Sequence, residues 1–222
     1  MAGMTVILFL CIAVPMLPVL VLLPDRRSKL FLGYLLVGTA VCLIASEINA
    51  WLLRMFGGDL LYVTTNITPI AEEILKGLPV LYFGWFFSDD RDTLLSIAFA
   101  TGLGFALLEN LVILTQSIET VTILWAFARG LGAALMHSAC TAFVGLGISL
   151  VRKRRKTFYC GTFSLVIAAS IYHAIFNTLV QSHLRALAFV LSLLLYLPQV
   201  VLRMDAIRKR RAAGMSDTQS RR

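Results

Sequence analysis

The chain has 222 residues, of which 59% are hydrophobic and only 14% charged, and its mean hydropathy is +0.84. Those values exclude an ordinary soluble enzyme and point to an integral membrane protein. The net charge of +8 does not argue for nucleic acid, because the basic residues gather at the ends of apolar runs, where topology and anionic lipid headgroups account for them.

Apolar runs close to the length that spans about 30 Å of hydrocarbon fall at 4–23, 30–53, 67–87, 93–116, 121–150, 157–180 and 186–204. The expected fold is an all-α polytopic transmembrane bundle of about seven helices. It forms one domain over 1–205, with a basic, disordered cytoplasmic tail over 206–222. The first run lacks a basic leader and an A-x-A-like site, so it reads as a retained helix. Arg26, Arg27 and Lys29 follow it. With Arg91, the run Arg152–Lys156 and the C-terminal cluster, alternate connections hold sixteen of the 20 Lys and Arg residues. That asymmetry predicts a multi-pass protein of the cell membrane with its N-terminus outside and its C-terminus cytoplasmic. Cys11, Cys42, Cys140 and Cys160 lie in apolar runs without C-x-x-C spacing and read as packing residues.

Several runs carry polar residues that are costly at membrane depth. The second holds Glu47, which can bond Asn49 or snorkel near Trp51. In the third, Thr68-Pro69 reads as an N-cap with proline at the first helical position, placing Glu72 and Glu73 one turn in, with Lys76 a turn later. The fourth carries Glu109 and Asn110. Arg129 and His137 lie on the fifth, where His137 falls nearer the midplane. The sixth holds His173 and Asn177. Glu72 with Lys76, Phe105 with Glu109, His137 with Thr141 and His173 with Asn177 are i, i+4 pairs, so four helices each present one polar stripe. Gly102, Gly104, Gly130, Gly132, Ala133 and Ala134 are small enough to let the stripes approach. One lysine cannot neutralise both Glu72 and Glu73, so this pair has the strongest claim to chemistry. Arg129 reads as a counter-ion either for Glu109 or for the pair.

The ordered motifs Ala71-Glu72-Glu73-Ile74-Leu75-Lys76, Gly104–Asn110, Arg129 ahead of His137, and His173-Ala174-Ile175-Phe176-Asn177 resemble the PrsW family of intramembrane proteases, within the wider group of CAAX prenyl endopeptidases and CPBP proteins. The resemblance covers roughly residues 66 to 180. It implies a glutamate-dependent endopeptidase with no metal or other cofactor, acting on single-pass membrane regulatory proteins of the anti-sigma-factor class. The wider group usually has Arg one position beyond Lys76 and His where this chain has Glu109.

The residues support the same chemistry directly. Peptide hydrolysis needs an activated water, oxyanion donors and a proton for the leaving amine. Glu72 is the favoured base, with His137 assisting the water, His173 and Asn177 donating to the oxyanion, and Glu73, Lys76, Glu109, Asn110 and Arg129 in support. Which histidine does which remains open at this level. Two alternatives are a zinc protease with ligands drawn from different helices, since no H-E-x-x-H occurs, and a proton-coupled carrier or membrane scaffold.

Overall fold

The computed structural model describes residues 2–151 and 155–197, and the expected tail at 206–222 lies outside them. The described residues form α1 (Ala2–Leu22), α2 (Arg26–Met55), a short α3 (Leu60–Tyr62), a π-helical turn (Val63–Ile67), α4 (Thr68–Phe86), α5 (Arg91–Gln116), α6 (Ile123–Ile148) and α7 (Arg155–Val180). A shorter apolar helix, α8, covers Arg185–Leu197. Helices α1, α2, α5, α6 and α7 are long and apolar enough to cross a membrane. The 19 residues of α4 nearly match that length but include Glu72, Glu73 and Lys76.

Polar caps fix where the long helices begin. Asp25 accepts the Ser28 N–H at 2.7 Å to start α2, and the Asp90 carboxylate accepts that of Thr93 at 2.9 Å to start α5. Thr122 does the same for Trp125 at the start of α6. The Ser28 N–H also holds the Asp25 carboxyl below its usual range. After α2 the chain reverses through Gly57 and Gly58 at φ +71° and +81°, a conformation that side chains resist.

The start of α4 departs from the sequence expectation. Thr68 does not cap a new helix. Its backbone is helical, its N–H bonds the Val63 carbonyl, and helical geometry runs on from Leu60 through the π-helical turn. Twelve residues of helix therefore precede Glu72, about 18 Å of rise. His137 lies fourteen residues after Ile123, about 21 Å by the same measure. The glutamates sit deeper than one turn, and so reach the level of His137.

Helix α5 packs against α2, α4 and α6 and anchors the bundle. Glycines permit the approach to α2 and α6. A Cβ on Gly104 would strike the Leu35 carbonyl of α2, one on Gly38 the Thr101 carbonyl of α5, and one on Gly102 the backbone of His137. Gly130 faces open space, so its small size serves no helix contact, and Gly132 packs on the Phe189 ring. Gly102→Ala should push α6 away at the level of His137. We expect a stability loss of about 1–3 kcal/mol with a disproportionate fall in activity, read by comparing thermal unfolding with turnover.

Candidate active site

The polar residues of α4, α5, α6 and α7 form one buried network. Glu73 Oε1 accepts from Lys76 Nζ at 2.5 Å and from His173 Nδ1 at 2.9 Å. Lys76 Nζ also lies 2.8 Å from His137 Nδ1 and 4.8 Å from the centroid of the Phe105 ring. His137 Nε2 is 3.1 Å from Glu109 Oε2, which Arg129 Nη2 approaches at 3.7 Å. The two imidazole rings stand edge to face with centroids 4.7 Å apart. Glu73, Lys76 and His173 are fully buried, and His137 is 1% exposed.

This geometry assigns the imidazole protons. An ammonium only donates, so His137 Nδ1 accepts from Lys76 and its Nε2–H donates to Glu109. A carboxylate only accepts, so His173 Nδ1–H donates to Glu73. His173 Nε2 is left with a lone pair, 3.7 Å from Glu72 Oε2. Both of those atoms are buried and have no hydrogen-bond partner among the described residues. Eight other buried polar atoms of the described residues share this state, Glu73 Oε2 and Asn49 Oδ1 among them, and such atoms call for a partner such as a water or an ion.

Charge balance singles out Glu72. Three carboxylates, Glu72, Glu73 and Glu109, share two permanent cations in this network. Lys76 pairs with Glu73, and Arg129 lies against Glu109. Glu72 instead accepts from a neutral amide, Asn49 Nδ2, at 2.8 Å. With Asn49, Phe105 and Glu109 it lines a cavity of about 90 Å³ among α1, α2, α4 and α5.

In the sequence Asn49 stands out only as a neighbour that Glu47 can bond. The signal lies in α2, whose buried positions Leu35, Gly38, Cys42 and Ala45 continue at helical spacing to Asn49. Glu47 falls on the opposite, exposed face and does not join the other polar residues. Asn49→Ala removes the donor to Glu72 Oε1 while leaving the charges in place. It should lower turnover about tenfold with the substrate KM little changed, as steady-state kinetics will show.

Two further residues stand apart from the carboxylates. Asn110 Nδ2 reaches the Gly130 carbonyl at 3.5 Å, a link between α5 and α6. Asn177 was expected to face the same space as His173, but its amide donates to the Thr64 carbonyl at 3.0 Å. The cause is local. In the π register the partner of Thr64 would be Pro69, which has no N–H, while the Thr68 N–H already bonds Val63. Asn177 satisfies that orphaned carbonyl and ties α7 to the turn that leads into α4.

The network also offers metal-ligand chemistry. One donor atom each from Glu72, His137 and His173 lie within 4.8 Å of one another. Glu72 Oε2 and His173 Nε2 are ready as they stand, and Glu73 behind His173 Nδ1 has the place of an outer carboxylate that orients a ligating imidazole. His137 fits once it gives up Lys76 or Glu109.

A family model described as "PrsW family intramembrane metalloprotease" matches residues 27–203, from α2 through α8. No curated protein and no solved structure matches the chain.

Proposed function

This chain belongs to the PrsW family of intramembrane proteases, and on that premise we propose that it hydrolyses a peptide bond of a single-pass membrane protein with a water activated by Glu72. The observation that carries the proposal is the pair of unpartnered atoms, Glu72 Oε2 and His173 Nε2, facing each other at 3.7 Å. A water between them donates one hydrogen to each, which leaves an oxygen lone pair free to attack the scissile carbonyl. Glu72 takes the proton and returns it to the leaving amine. Glu73 holds His173 in the tautomer that accepts at Nε2. The buried charge of Lys76, 2.8 Å from His137 Nδ1, stabilises the negative charge that grows on the substrate oxygen. Arg129 and Glu109 hold His137 from its other side.

A second reading rests on the convergence of Glu72, His137 and His173, and on the family description as a metalloprotease. A divalent cation held by those three residues would supply Lewis-acid polarisation of the scissile carbonyl and of the attacking water. The permanent charge of Lys76, 2.8 Å from one would-be ligand nitrogen, disfavours a second cation at that place and makes Glu72 as base the first reading. Exhaustive chelation of the purified protein discriminates between the two. Activity is expected to survive it, whereas loss that zinc restores would make Glu72 a ligand instead of the base.

The same reading places the N-terminus outside and the C-terminus in the cytoplasm, with the basic connections against anionic headgroups. Its support is the confinement of sixteen of 20 Lys and Arg residues to alternate connections and the tail. Substrates of the anti-sigma-factor class are what the family resemblance implies.

A further inference from the structure

Resting on that reading, we infer that the groove between α2 and α5, now covered by the N-terminal half of α1, is where the substrate's transmembrane helix docks, and that α1 yields the groove to it. The groove leads to the base. Thr5 of α1, Ser46 and Asn49 of α2 and Phe105 of α5 line the same cavity as Glu72 and Glu109. A helix lying where α1 lies therefore runs alongside the carboxylate that activates the attacking water.

The present occupant shows what the groove accepts. Leu8, Phe9 and Ile12 of α1 pack on Val41, Cys42, Ala45, Phe105 and Leu108, so the surface fits one face of an apolar helix. Lipid tails are as apolar as leucine, so exchanging one such helix for another sacrifices little hydrophobic free energy. Helix α1 is also the least embedded of the long apolar helices. Only 11% of its apolar window is buried, against 33% for α2, 56% for α5 and 72% for α6. Pro15 and Pro18 interrupt its hydrogen bonding, which gives the N-terminal half a point about which to swing. The family match begins at residue 27, so α1 lies outside the matched part of the chain.

The test uses the full-length protein reconstituted with a single-pass substrate. Exposed Cys11 and Cys160 are replaced by serine and Cys42, which lines the same cavity, by alanine, and Thr5→Cys with Ser46→Cys allows α1 to be tethered by a reducible bifunctional thiol reagent. Tethering should lower cleavage about tenfold or more, and reduction should restore it. Binding is read separately in Glu72→Gln protein carrying a photo-crosslinking residue at Ile113, which lines the cavity, or at Ile171, on the exposed face of α7. Adducts with the substrate helix are expected at position 113 and should disappear on tethering. Unchanged cleavage by tethered protein, or adducts at 171 and not at 113, would overturn the docking site while leaving the protease reading intact. Failure of the untethered protein to cleave any single-pass substrate would count against that reading itself, and the inference would fall with it.

Discussion

Glu72→Gln should lower the cleavage rate by roughly two to four orders of magnitude, the range that a positioned general base contributes. Glutamine retains an oxygen to accept from Asn49 Nδ2, now 2.8 Å from Glu72 Oε1, so the bundle should fold and the substrate should still bind. The loss should appear in kcat with KM little changed, because the missing step is proton removal from water and not docking. Turnover within a few-fold of wild type, by a variant that unfolds at the wild-type temperature, would remove Glu72 from the role of base.

The second large effect concerns stability. Lys76 and Glu73 are both fully buried and 2.5 Å apart, and Lys76 also touches His137. Lys76→Met leaves Glu73 charged, buried and without its cation, so we expect a loss of about 3–5 kcal/mol in unfolding free energy. Glu73→Gln combined with Lys76→Met removes both charges and should recover much of that loss, because an uncharged pair carries no uncompensated charge. On the proposed mechanism it should not recover activity, since the carboxylate bonded to His173 Nδ1 and the buried charge beside His137 are both gone. Thermal unfolding in detergent, run beside a cleavage assay, separates the two outcomes. A single Lys76→Met variant as stable as wild type would show that Glu73 is not left as an uncompensated buried charge.

Much of this organisation was readable from residues alone, for physical reasons. The lipid environment requires long apolar helices, so the run at 93–116 became Arg91–Gln116 and the run at 157–180 became Arg155–Val180. Polar residues at membrane depth must meet, which is why Glu73, Lys76, Glu109, Arg129, His137 and His173 are found in one network. The structure also decided that the counter-ion Arg129 belongs to Glu109.

What was not readable depends on contacts between distant segments. Thr68-Pro69 has the same local appearance whether it caps a helix or sits within a continuing one. The difference lies in Asn177, more than a hundred positions later, which supplies the bond that the π-helical turn lacks. Likewise, two polar residues of α2 lie two positions apart, and only the packing of α2 on α5 shows that Asn49 faces inward and Glu47 outward. For the run at 186–204, the described part is helical over Arg185–Leu197, and the remainder lies outside the described residues.

On the proposed mechanism Glu72 activates water for peptide hydrolysis within the membrane. The most direct measurement reconstitutes the purified, chelator-treated protein in vesicles with one single-pass substrate and maps the products by mass spectrometry, with the Glu72→Gln protein as the paired sample. The account predicts a cut in or beside the membrane-spanning segment by the wild type and an intact substrate with the variant. Equal cleavage by both proteins, or none by the chelated wild type until a metal is returned, would contradict it.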